Sequence, residues 1–162
     1  MVRWQDFAAA CPEIAERALE RFRAKELVML GTLRADGSPR ISPCELDLAD
    51  GELVLGMMWR SRKALDLLRD PRCVVHTCTA DRMGTEGDAK LYGTAVEVQD
   101  AALLEAYREA VRSRLDWTPP EQSHAFAIDV TSAGFMSFAE PRIVLSWDPV
   151  RGTRTLPFPD AD

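Results

Sequence analysis

The sequence predicts a barrel-like α+β domain that is mainly antiparallel β. Three observations lead there. Six or more segments have strand length and strand composition, and most are joined by turns short enough for hairpins. The helical segments interrupt these strands rather than alternating with them, which argues against a doubly wound parallel sheet. No GxGxxG or GxxxxGK[ST] follows any strand, so the usual nucleotide-binding loops are missing.

The first element is a helix over residues 4–25. Pro12 starts its main portion, since a first turn tolerates a residue without an N–H. Ile14, Ala18, Leu19 and Phe22 recur at helical spacing on one side, with charged residues on the other; this is a helix docked on a sheet. From residue 27 the period changes. Leu27–Leu33 reads as a strand that ends at Ala35-Asp36-Gly37-Ser38, where Asp-Gly signals a hairpin. The return strand, Pro39–Leu48, alternates: Arg40, Ser42, Cys44, Leu46 and Leu48 share one face, expected to be the core face. An arginine on that face needs an anionic partner or an opening to solvent. Pro43 cannot donate to a ladder and marks an edge or an interrupted pairing. Ala49-Asp50-Gly51 turns the chain into the apolar strand 52–58.

A helix is expected to begin at Ser61 and to stop before Pro71, because the residue preceding a proline leaves helical angles. Strands follow over 73–78 and 89–98, the second with Gly93 as a bulge or a point of close backbone approach. An amphipathic helix spans 101–115 and ends at Trp117-Thr118-Pro119-Pro120. Two more strands, 125–137 and 143–147, and a short one at 153–156 complete the set. At 162 residues the chain suits one domain: helix 4–25, barrel core 27–148 and a tail over 149–162.

A formal net charge of −6 argues against a general nucleic-acid binder and against adsorption to anionic membranes. An anion site must therefore be local. Cys11, Cys44, Cys73 and Cys78 sit among apolar neighbours, as reduced thiols do, and neither a signal pattern nor a membrane-spanning run is present; a cytoplasmic location is expected.

Trp59-Arg60-Ser61-Arg62-Lys63 carries the strongest local signal. Ser61 is expected to cap the helix with its hydroxyl, which puts Arg62 and Lys63 in the first turn. Cations there forfeit roughly 0.3–1 kcal/mol each against the helix dipole. A bound phosphate reverses that cost, since free N–H groups, the dipole and two basic side chains together favour it. The alternative is a solvated basic turn.

The order Leu30-Gly31-Thr32-Leu33, Asp36-Gly37, Pro39-Arg40-Ile41-Ser42-Pro43, then an apolar strand, Ser61-Arg62-Lys63-Ala64 with Leu67, Asp70-Pro71-Arg72 and Lys90-Leu91-Tyr92-Gly93-Thr94-Ala95 resembles the pyridoxamine-phosphate-oxidase-like superfamily of flavin and deazaflavin oxidoreductases. The resemblance covers roughly residues 27–98 in order and spacing. It implies a six-stranded antiparallel split β-barrel with peripheral helices, a homodimer, and FMN in a groove between subunits. It also implies roles for particular residues. Lys63 and Arg62 hold the cofactor phosphate with the Ser61 hydroxyl; Arg40 and Ser42 line the phosphate and ring system; Met57, Met58 and Trp59 run along the isoalloxazine. The phosphate is then the anion that Arg40 requires.

The ending Ser146–Gly152 lacks the arginine- and histidine-containing segment of the vitamin B6 oxidase, which argues against pyridoxamine phosphate as substrate. Coenzyme F-420, a deazaflavin with an acidic tail, is the alternative to FMN, and a few relatives bind haem. The expected activity is hydride transfer at the flavin to or from an unknown small molecule. No side chain stands out as a catalytic acid or base: His76 and His124 read as packed or hydrogen-bonded. Cys73, His76 and Cys78 do not form a zinc site, because alternation puts Cys73 opposite the other two and zinc needs four ligands. Trp59 covers the cofactor or packs; Trp117 and Trp147 are expected to pack.

Overall fold

The computed structural model describes residues 2–79 and 81–159; the last three residues of the expected tail lie outside them. The chain runs through α1 (Trp4–Ala10), α2 (Pro12–Lys25), β1 (Leu27–Leu33), β2 (Pro39–Ala49), β3 (Glu52–Met58) and α3 (Arg62–Arg69). It continues through β4 (Arg72–Thr77), β5 (Asp88–Glu97), α4 (Ala101–Leu115), β6 (Ser123–Ser137), β7 (Ile143–Asp148) and β8 (Gly152–Thr155).

Among the described residues every strand pair is antiparallel, in the order β3-β2-β1-β4-β5-β6-β7-β8, and a β3–β6 ladder closes the first six strands into a barrel. The expected six-stranded antiparallel barrel is therefore the observed one. The hairpins follow from their turn residues: Gly37 has φ +82°, and Asp50-Gly51 has φ +45° and +76°, the left-handed pair that a tight hairpin demands. β6 pairs with β3 through Ser123–Met58 to Ala127–Val54 and with β7 through Ala133–Trp147 to Ser137–Ile143. It lies beside β5 for most of its length.

The N-terminal helix is two helices, not one. Cys11 leaves helical angles (φ −142°, ψ 66°) because it precedes Pro12. Phe7, Cys11, Ile14 and Ala18 are fully buried in the main core with Leu30, Leu55, Val75 and Leu91. Trp147 is buried there too, its ring edge-on to Phe7 at 4.9 Å, so its expected packing role is the observed one.

A second cluster forms outside the barrel, where Tyr107 and Val111 of α4 pack on Ala49, Val54 and Ala125. This second cover corrects the expected phase of β2. Cys44 and Leu46 are buried as expected, but Leu48 is 37% exposed while Asp47 and Ala49 are buried. Near its end β2 has α4 on its outer face, so the outward residues are covered as well. Asp47 is accommodated by a bidentate pair with Arg114, which donates from Nε to Oδ1 and from Nη2 to Oδ2, both N···O distances being 2.8 Å. Pro43 sits in the ladder with β1, opposite Met29, while the pairing with β3 begins only at Glu45; the proline lies beyond that second ladder.

Gly93 fulfils both of its expectations. The β5–β6 register shifts at Tyr92/Gly93, and a Cβ on Gly93 would fall 2.1 Å from the Asp129 carbonyl oxygen. Gly93→Ala is expected to destabilise the barrel by about 1–3 kcal/mol, read as a lower urea midpoint at constant m-value. A midpoint equal to the parent's would show that the two backbones separate freely.

Candidate functional site

The exit from β3 is built on a strained turn. Arg60 takes φ +54°, a left-handed conformation uncommon for a residue with a side chain. It carries Ser61 into the N-cap position, where Ser61 O accepts from Leu65 N at 3.0 Å. The expected side-chain cap is absent: the Ser61 hydroxyl makes no bond to the first turn, and its oxygen is buried with no partner among the described residues. By contrast, Asp100 caps α4 by accepting from Leu103 N at 2.9 Å. Arg62 is exposed and Lys63 half-buried. Lys63 Nζ donates to Pro43 O at 2.5 Å, and an ammonium has three N–H groups.

Lys63 lines a cleft of about 640 Å³ between the end of β3, the middle of β2, α4 and the segment from residue 117 to 123. Met57, Met58 and Trp59 line it from β3 and its exit. Met58 is 78% exposed, a large apolar side chain left uncovered at the cleft wall. The Trp59 indole stacks on the His124 ring, centroids 4.5 Å apart and planes 11° apart. His124 is buried, Nδ1 lies 2.7 Å from Glu97 Oε1, and Nε2 has no partner among the described residues. The expectation of a hydrogen-bonded histidine holds at both positions, His76 Nδ1 lying 2.6 Å from Thr77 O.

Arg40 and Arg62 face elsewhere. With Arg34 and Arg69 they line a notch of about 340 Å³ that also contains Asp36 and Asp66. Asp66 changes the meaning of Arg40. It is buried, and it accepts from Arg40 Nε at 2.6 Å, Arg69 Nη2 at 3.1 Å and Thr32 Oγ1 at 3.1 Å. Burial pushes the Asp66 carboxyl up, but these hydrogen bonds, Arg40's foremost, outweigh it and hold its pKa below the usual carboxylate range. The anion that an inward-facing arginine requires is thus in the chain itself. Ser42 sits half-buried on β2 opposite Leu30, in the lining of neither hollow.

Sequence reasoning missed part of the larger cleft. Glu45, Gly56, Tyr107, Trp117, Pro119 and Pro120 all line it. Trp117, expected to pack, is 47% exposed and stands as a cleft wall. Its sequence signal, an aromatic before two prolines, reads equally as a helix terminator.

A hollow of about 650 Å³ on the outer sheet face is lined by Met29, Ile41, Val74 and Tyr92, among others; Ile41 is 71% and Tyr92 47% exposed.

The family model described as pyridoxamine 5'-phosphate oxidase matches residues 14–137. The chain belongs to this family. Among curated proteins no sequence match is found. Solved structures share the fold at low identity. A pyridoxamine 5'-phosphate oxidase-related, FMN-binding protein from Nostoc punctiforme is 15% identical, with a TM-score of 0.65 over 91% of this chain and 96% of that one. A haem-binding protein from Mycobacterium smegmatis is 21% identical with a TM-score of 0.64, over 85% of this chain and 58% of its own. PhzG from Burkholderia lata, solved with tetrahydrophenazine-1-carboxylic acid, is 13% identical with a TM-score of 0.62, over 94% and 91%. Membership of the pyridoxamine 5'-phosphate oxidase family and the closed six-stranded barrel thus agree with one another. Among the described residues no helix is long and apolar enough to cross a membrane.

Proposed function

We propose that this chain is an FMN-dependent oxidoreductase acting on a small molecule. One observation carries the reading: the Ser61 hydroxyl is buried without a partner at the start of the helix that brings Lys63 to the mouth of an apolar cleft. A buried hydroxyl without a bond is costly unless a ligand supplies one, and a phosphate oxygen at a helix start is a fitting acceptor. Ser61 and Lys63 would hold that phosphate; Arg62 and Arg40 would add positive charge from the side of the notch, and Ser42 would offer its hydroxyl from β2. Met57, Met58 and Trp59 would lie along the ring system, where their apolar surface excludes water. FMN, when bound, supplies hydride chemistry; the chain binds, orients and shields.

A homodimer belongs to the same reading. The exposed apolar side chains of Ile41 and Tyr92 are of the kind a second copy covers, and they lie on the outer sheet face. A cytoplasmic setting fits four free cysteines.

A specific observation favours a second reading. The notch with Arg34, Arg40, Arg62 and Arg69 suits the acidic tail of coenzyme F-420, so a deazaflavin-dependent reductase is the alternative. A flavin or haem carrier without turnover is the third. The visible absorption spectrum of the purified protein is expected to show bound flavin, and added FMN to lose fluorescence as it binds. Competition between FMN and F-420 ranks the first two readings. A colourless protein that leaves FMN fluorescence unchanged would retire the flavin assignment.

A further inference from the structure

Tyr107 is almost fully buried as a residue, yet it lines the cleft beside Gly56, over which its hydroxyl lies. The strand opposite is shaped to receive it. A Cβ on Gly56 would fall 1.8 Å from the Tyr107 oxygen, so the hydroxyl occupies the space of a missing side chain. Burial pushes this phenol well above the ordinary tyrosine range, and the carboxylates of Glu45 and Asp47 push it further. At neutral pH it is a protonated O–H donor at the cleft wall.

Glu45 adds a sign of charge. It is half-buried, lines the same cleft and has no ion-pair partner among the described residues. Asp47 is in direct contact with Arg114, which acts on Glu45 only at longer range. Lys63, the cation of the lining, donates to Pro43 O and keeps its other donors for the cofactor phosphate. The charged groups that bear on the Tyr107 hydroxyl are Glu45, Asp47 and Arg114. On the side of the cleft away from the strand that would carry the cofactor ring stand Trp117, Pro119 and Pro120, and the indole presents a flat surface to a ligand ring.

The geometry points to Tyr107, seated on Gly56 beside Glu45, as the substrate-selecting end of the cleft. It takes a flat, uncharged aromatic molecule whose carbonyl oxygen accepts from the Tyr107 hydroxyl, and it rejects anionic analogues through Glu45. A donor that a bound ligand shuts off from water rewards a ligand that bonds it and penalises one that leaves it unpaired. This inference rests on the reading of the cleft as a ligand site, and it deepens that reading by naming a substrate class.

The test uses two unreactive probes of equal ring size, 9-fluorenone and fluorenone-2-carboxylate, titrated into the full chain with and without FMN. Fluorenone is expected to bind at least about tenfold more tightly than its carboxylate. Tyr107→Phe is expected to weaken fluorenone about five- to tenfold, the usual loss for one neutral hydrogen bond, with an unchanged melting temperature. Glu45→Gln is expected to strengthen the carboxylate and narrow the gap. Equal binding of the two probes, no binding of either, or Tyr107→Phe without effect would each overturn the proposal. So would loss of fluorenone binding on loading FMN, since the cofactor would then occupy the Tyr107 end of the cleft itself. If FMN does not bind but the discrimination persists, the flavin reading falls and this one stands. If FMN binds and the discrimination is absent, the reverse holds.

Discussion

Replacing Lys63 with alanine is expected to weaken FMN by about 1.5–3 kcal/mol, the range for a hydrogen bond to a charged group, or about ten- to hundredfold in Kd. Lys63 reaches Pro43 O from the first turn of α3 and lines the cleft, so its ammonium has donors left for a phosphate. Alanine also removes the aliphatic stem, which covers apolar surface of its own. Lys63→Met keeps most of that stem and isolates the charge. Both variants are expected to lose affinity, with Met close to Ala, and the melting temperature of the cofactor-free protein is expected to hold. Arg62 is exposed, and screening by water makes Arg62→Ala the milder change. An FMN titration in which the parent and Lys63→Met agree within a factor of two removes Lys63 from the phosphate site.

Asp66→Ala is expected to be the most damaging substitution to stability, on the order of 3 kcal/mol. Breaking a buried ion pair by removing one partner costs about 3–5 kcal/mol, and the Arg40 side chain, 20% exposed, retains some contact with water. Three donors lose their acceptor together: Arg40, Arg69 and Thr32. The effect has a pH signature. The folded pKa of Asp66 lies below its ordinary value, so its contribution is fully present above the unfolded carboxylate pKa of about 3.9 and is lost as pH falls through the lowered folded value. Urea midpoints of the parent are therefore expected to fall on acidification below about pH 4, with part of the decline absent in Asp66→Asn. Equal acid sensitivity in parent and Asp66→Asn would assign the decline to other carboxylates.

The element boundaries and the β1-β2-β3 hairpins were legible because they are written in local signals. Asp36-Gly37 and Asp50-Gly51 mark hairpins by their need for positive φ, and Pro12 and Pro71 mark helix boundaries by what they forbid to their neighbours. What escaped depends on residues far apart in the chain. The partner of Arg40 is Asp66, 26 positions away and on a helix whose docking no periodicity reveals. Leu48 and Asp47 exchange roles because α4 folds over the outer face of β2, contributing Arg114 from 67 positions away. Ser61 has the right residue type and place for a cap, yet its hydroxyl is aimed elsewhere. Trp117 and Tyr107 become cleft residues only through the return of the chain from α4 into β6. Of the eight residues first singled out, Met57, Met58, Trp59 and Lys63 meet in one cleft, whereas Arg40 and Arg62 meet in the notch.

The ladder between β3 and β6 closes the barrel by pairing Met57 with His124, 67 positions further along the chain. Such long-range pairing has a high loop-closure cost and forms late relative to neighbouring hairpins. The cleft is divided across that seam: Gly56, Met57 and Trp59 stand on one side, and Trp117, Pro120 and Ser123 on the other. A chain with β1, β2 and β3 paired but β6 still undocked would thus have half a binding site. Its ligand would recognise the finished barrel and stabilise it by mass action. Cofactor uptake during refolding then becomes a clock for the last closure, one that strand content alone would not record.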